Sequence, residues 1–206
     1  NQPGSTYEYS VSIDVAGYLV EVLSGETFDV FLQTRLFGPL GMNDSGFAVP
    51  EEKHNRLAMI YTKKNSGGEL IPVLKMTNPV KEDVKLFSGG GGMVSTLKDY
   101  GKFGQMLLNG GELNGVRVLE ESTVKMITSN QILPPATFEG KGYGLGGYAN
   151  EEEGTYGWSG AASTDFQLDM KNDIVILTFT QYTPFMGVPL ADRFKEFVHN
   201  AVVVEE

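Results

Sequence analysis

The sequence has 206 residues, of which 41% are hydrophobic and 20% charged, with 26 glycines, no cysteine and a net charge of −10. That length and balance fit one soluble globular unit or a part of a larger one. The charge argues against nucleic acid, whose phosphates need clustered Lys and Arg, and the lack of cysteine excludes disulfides, thiolate nucleophiles and Cys-based zinc sites.

In chain order, "PGSTYEYS" is a polar lead-in. From Ser12 the pattern becomes helical: Ile13, Ala16, Leu19, Val20 and Leu23 share a face, and Gly25 ends it. Thr27 is placed to cap a second helix with Phe28, Phe31, Leu32 and Leu36 as its apolar stripe, broken by "GPLGM" at 38–42. Residues 43–92 read as irregular and end in four glycines, Gly89 to Gly92. Thr96 and Asp99 form a capping box opening a third helix, with Leu97, Tyr100, Phe103, Leu107 and Leu108 inward and Gly110-Gly111 as its stop. A fourth helix is expected over 121–129. Residues 130–154 read as loop, with "GYGLGGY" as an extended segment. The period then falls to two, and 156–163, 165–170 and 174–180 read as strands, the last two joined by a hairpin turn at "MKND". A final helix over 190–203 puts Leu190, Phe194, Phe197, Val198 and Ala201 on one face. Helices, then antiparallel strands, then a helix predict an α+β fold rather than alternating βαβ units. No apolar run reaches the length of a membrane span.

Several short patterns carry possible chemistry. "YGWSGAAST" comes near the G-x-S-x-G turn that exposes a nucleophilic serine, with Gly157 in place but Ala161 where the second glycine belongs. A strand rather than a helix is expected after it. The two histidines are His54, in a polar loop, and His199, in the last helix. A self-sufficient Ser159 hydrolase needs one of them beside Ser159. The S-x-x-K spacing, which sets a lysine one turn from a serine, occurs at Ser95–Lys98 and at Ser122–Lys125. Both fall at helix starts, where Ser and Thr serve as caps. "GGGGMVST" lacks the lysine of a phosphate-binding loop, and no His/Asp/Glu group has metal-ligand spacing, so no cofactor is expected. Tyr9, in a short polar segment before a helix, suits either a general base facing a cleft or a residue packing the helix entry.

Taken together, "PGSTYEYSVSIDVAGYLVEVLSG", "FLQTRLFGPLGMNDSGF", "GGGGMVSTLKDYGKFGQMLLNGGELNGVRVL" and "YGWSGAASTDFQLD" resemble, in order and spacing, the carboxyl-terminal part of the serine β-lactamase-like family. That family holds class C β-lactamases, DD-peptidases and related carboxylesterases, and the likeness is greatest to the esterase branch, where Trp-x-Gly often replaces Lys-Thr-Gly. The resemblance implies a β-lactamase/transpeptidase-like fold, with 1–206 as one portion of a single domain: 1–150 mainly helix and loop, 151–206 three strands and a helix. It implies that Tyr9 is the tyrosine of the Tyr-x-Asn motif and acts as the base. Trp158, Ser159 and Gly160 become the third motif, lining the substrate, and the Ala161 amide becomes one oxyanion donor. Val11 stands where β-lactamases have Asn and Trp158 where they have Lys, which favours small esters over β-lactams. The family's nucleophilic serine and lysine lie upstream of the Tyr motif, so the chain is expected to lack its nucleophile and to be inactive alone. It is also expected to pair with the missing segment, a second chain or a copy of itself, since the strand over 174–180 would keep a bare edge. A non-catalytic peptide- or acyl-binding module, or part of a β-lactamase or DD-peptidase, is the alternative. Neither substrate nor compartment follows from the sequence.

Overall fold

The computed structural model describes residues 2, 4–64, 68–77, 80, 84–185 and 189–202. The first helix, α1 (Ser12–Ser24), stops where Gly25 turns left-handed at φ 73°. Its apolar stripe does not face a core: Ile13, Leu19 and Leu23 are exposed, and Gly17 is the residue it buries. The next helix, α2 (Phe28–Leu32), starts as expected, but Thr27 makes no capping bond. The Glu21 carboxylate takes that role across the turn, accepting from the Phe28 amide at 2.9 Å. Nor does the helix break at Gly38. A π-helical turn (Gln33–Phe37) and the short α3 (Gly38–Leu40) carry it on to Gly41. Pro39, which has no amide to give to the ladder, directly follows the π-turn, where the Gly38 amide bonds back to the Gln33 carbonyl.

Residues 43–92 hold more order than their composition suggests. They contain a 3₁₀ turn (Glu51–Arg56), the antiparallel pair β1 (Tyr61–Lys63) and β2 (Leu70–Pro72), and α4 (Leu74–Thr77). Next, α5 (Leu97–Leu108) opens with the Asp99 amide donating to the Thr96 hydroxyl at 3.2 Å. Only this half of the capping box forms. The Asp99 carboxylate accepts from the Asp44 amide at 2.7 Å and the Ser45 hydroxyl at 3.3 Å, pinning the 43–57 segment to the helix. Leu97, expected inward, is half exposed. A small hairpin, β3 (Glu112–Leu113) and β4 (Val116–Arg117), leads to α6 (Glu121–Thr128).

The main sheet has five antiparallel strands in chain order: β5 (Gly142–Tyr143), β6 (Tyr148–Asn150), β7 (Thr155–Ser159), β8 (Thr164–Asp169) and β9 (Ile174–Phe179). "GYGLGGY" is therefore a hairpin that widens the sheet, whose two edge strands are β5 and β9. One sheet face supplies Tyr156, Phe166 and Leu168 to a core shared with Met106 and Leu107 of α5 and with Phe37 and Leu40. The other face carries Thr155, Asp165, Gln167 and Asp169, polar yet buried.

Against that polar face lies α7 (Leu190–Ala201). Its Lys195 ammonium sits 2.7 Å from Asp165 Oδ1, and His199 Nε2 sits 3.2 Å from Asp169 Oδ2. These contacts turn the helix away from the orientation its apolar residues suggest. Ala191, Lys195 and Val198 are partly covered, while Leu190, Phe194 and Phe197 stay exposed. Val203, expected to end this helix, lies outside the described residues. Among the described residues no helix is long and apolar enough to cross a membrane.

Candidate active site

Tyr9 sits just before α1, and Trp158 is near the end of β7. The structure brings their rings together, with centroids 5.5 Å apart. Phe138 and Tyr143 also flank Trp158, at 5.4 and 5.8 Å, and Tyr7 packs on both. The result is an aromatic wall built from the polar lead-in, the β5 hairpin and the third-motif strand. Within this wall the two lead-in tyrosines differ. Burial, then a hydrogen bond with Tyr143, push the Tyr7 phenol above its ordinary value, so Tyr7 stays protonated. Tyr9 is 62% exposed, and among the described residues no side chain hydrogen-bonds its hydroxyl. Its oxygen is open to an incoming group.

The third motif lies where β7 outruns its neighbour. The pairing with β6 ends at Gly157, so among the described residues the outer edge of Trp158, Ser159 and Gly160 has no strand partner, while Ser159 still pairs with Asp165 of β8. Trp158 and Gly160 line a cavity of about 570 Å³, with Gly89 to Gly91, Ser95 and Tyr100 among its other walls. The glycine run is held there by Asp14 of α1, which accepts from the Ser88 hydroxyl at 2.5 Å and the Gly90 amide at 3.2 Å. A second cavity, of about 520 Å³, lies between α2 and the 43–57 segment and contains none of the motif residues.

After Ser159 the chain makes a tight turn. The Gly160 amide donates to the Thr164 carbonyl at 2.8 Å, and the Ser163 amide donates to the Gly160 carbonyl at 3.0 Å. Ala161 is exposed at the turn, and among the described residues no group accepts from its amide. An unspent amide beside a cleft is what an oxyanion donor requires.

The remaining serine candidates are placed differently. Ser159 donates to Asp165 Oδ2 at 2.7 Å, while His54 contacts the Val49 carbonyl and His199 contacts Asp169, so neither histidine serves Ser159. Ser95 shares a hydrogen bond with Ser45 at 2.8 Å, and Lys98 is exposed. Ser122 and Lys125 are exposed on α6. Sequence reasoning missed Asp165 and Lys195. In a strand of alternating pattern Asp165 looks like a solvent residue, and only the packing of α7 shows it buried.

A family model described as Beta-lactamase matches residues 1–199. Protein Rv1367c of Mycobacterium tuberculosis is 29% identical over 93% of this chain and 52% of its own length. Lovastatin esterase of Penicillium rubens is 26% identical over 97% of this chain and 56% of its own. In fold, the chain is similar to EstCE1, a hydrolase with promiscuous acyltransferase activity, at a TM-score of 0.80 and 23% identity, over 98% of this chain and 57% of that one. The chain thus spans about half the length of the relatives it matches.

Proposed function

Starting from the fact that the chain belongs to the Beta-lactamase family, we propose that it carries part of the active site of a serine hydrolase that cleaves small esters through an acyl-enzyme. Tyr9, its phenol proton having first passed to a basic group such as the family's upstream lysine, acts as the phenolate and takes the proton of the attacking serine hydroxyl as the serine oxygen bonds to the ester carbonyl carbon. The carbonyl oxygen becomes an oxyanion, and the Ala161 amide donates to it. Collapse expels the alcohol, which takes the proton back from Tyr9. Water then repeats the sequence on the acyl-serine. Trp158, Ser159 and Gly160 form the wall against which the ester lies.

The observation that carries this reading is the contact between Tyr9 and Trp158, from segments far apart in sequence, with the unspent Ala161 amide in the turn that follows the Trp158 strand. The nucleophile is proposed to come from outside residues 1–206, because among the described residues Ser95, Ser122 and Ser159 each lack a lysine or histidine partner that could activate them. An apolar Trp158 and Val11 where family members with β-lactam activity have polar groups supports esters as substrates. The name of the similar lovastatin esterase points the same way. Tyr9→Phe in the complete protein is the test. Removing a general base is expected to lower kcat on a nitrophenyl ester by about 10²-fold or more, and an unchanged kcat contradicts the assignment.

A further inference from the structure

The Ser159 hydroxyl is not free to choose its hydrogen bond. It donates to Asp165 Oδ2 at 2.7 Å, and a carboxylate can only accept. Asp165 is 4% exposed, and its other oxygen lies 2.7 Å from the ammonium of Lys195 on α7. That second contact is ionic rather than a well-aligned hydrogen bond, since Oδ1 has no partner in hydrogen-bonding geometry. Helix, carboxylate and hydroxyl thus form a chain that fixes the Ser159 proton pointing inward. Ser159 itself is half-buried, at the strand end where the outer edge of β7 has no strand partner among the described residues.

Resting on the reading of Ser159 as a substrate contact, we propose that Asp165 and Lys195 make Ser159 an acceptor only, so that the site selects esters carrying an N–H or O–H donor beside the scissile bond and disfavours carboxylate-bearing ones. At the strand edge that β6 leaves unpaired, next to the cavity lined by Trp158 and Gly160, the hydroxyl offers lone pairs, which an amide or alcohol donor of a bound ester satisfies. A carboxylate there meets lone pairs and finds no proton to accept, because the Ser159 proton is held by Asp165. The net charge of −10 acts in the same direction at longer range. Asp165 and Lys195 are positioning residues, acting through Ser159.

The test uses the complete protein and two neutral nitrophenyl esters of equal acyl length, one ending in a primary carboxamide and one in its N,N-dimethyl form. The wild type is expected to favour the carboxamide about five- to tenfold in kcat/KM, the worth of one good hydrogen bond. Ser159→Ala is expected to abolish that ratio. Asp165→Leu combined with Lys195→Met leaves no buried unpaired charge and frees the Ser159 proton, so the ratio is expected to fall towards one while both esters are still cleaved. A wild-type ratio near one, or a ratio retained in the double variant, overturns the inference while leaving the hydrolase reading intact. Equal cleavage of both esters by wild type, Ser159→Ala and Tyr9→Phe instead overturns the active-site assignment, and this inference with it.

Discussion

A Cβ at Gly160 would lie 2.3 Å from Thr164 Oγ1, so a side chain there forces Thr164 to shift within the tight turn that presents the Ala161 amide. Gly160→Ala is therefore expected to cost about 1–3 kcal/mol, the usual penalty for forcing atoms into a packed site. It is also expected to lower kcat in the complete protein more than KM. Thermal denaturation and steady-state kinetics check the two parts, and a variant with wild-type Tm and kcat would show that the turn adapts freely. At this scale the residue types of the proposed site are readable in the sequence: Tyr9, Trp158, Ser159, Gly160 and Ala161 stand in a recognisable order. What the sequence could not supply was the partner of each. Asp165 lies six residues from Ser159 and reaches it only because β7 and β8 pair in that register.

Most helices and strands were legible because their periodicity is strong, and the failures have definite causes. The apolar pattern of α7 predicts a face of Leu190, Phe194, Phe197, Val198 and Ala201, but the buried Asp165 on β8 draws Lys195 inward, Asp169 contacts the exposed His199, and both phenylalanines stay outside. The β5 and β6 hairpin was hidden by glycines, which carry no alternation. Lys195→Met alone leaves Asp165 buried without its counter-charge and is expected to destabilise by on the order of 3 kcal/mol. Urea unfolding measures this, and a loss under 1 kcal/mol would mean the pair adds little to holding α7. The 43–57 segment offers a pH test. Asp44 lies 2.7 Å from Lys53 and 2.8 Å from Arg56. Arg56 first, then Lys53, hold its carboxyl well below the usual carboxylate range. A folded value below the unfolded one gives a contribution that is complete above the unfolded pKa of about 4 and fades as pH falls towards the folded value. Asp44→Asn should thus lower Tm at pH 7, with the gap to wild type narrowing below pH 4. A gap that stays constant down to pH 2 contradicts this assignment.

Across the whole molecule, apolar surface is left open in two places. Val15, Tyr18, Leu19, Val22 and Leu23 are exposed on α1, and Phe194 and Phe197 on α7, while β9 forms one edge of the sheet. Contiguous apolar faces and open strand edges favour association. Residues 1–206 alone are expected to show a scattering mass that rises with concentration, and a constant monomer mass over a hundredfold dilution series runs against this. The roles proposed for these residues are the base and one oxyanion donor, with the nucleophile supplied from elsewhere in the protein. Intact mass after incubation of residues 1–206 with a fluorophosphonate serine probe decides this. No adduct is expected, whereas a stoichiometric adduct on Ser95, Ser122 or Ser159 would overturn the proposal.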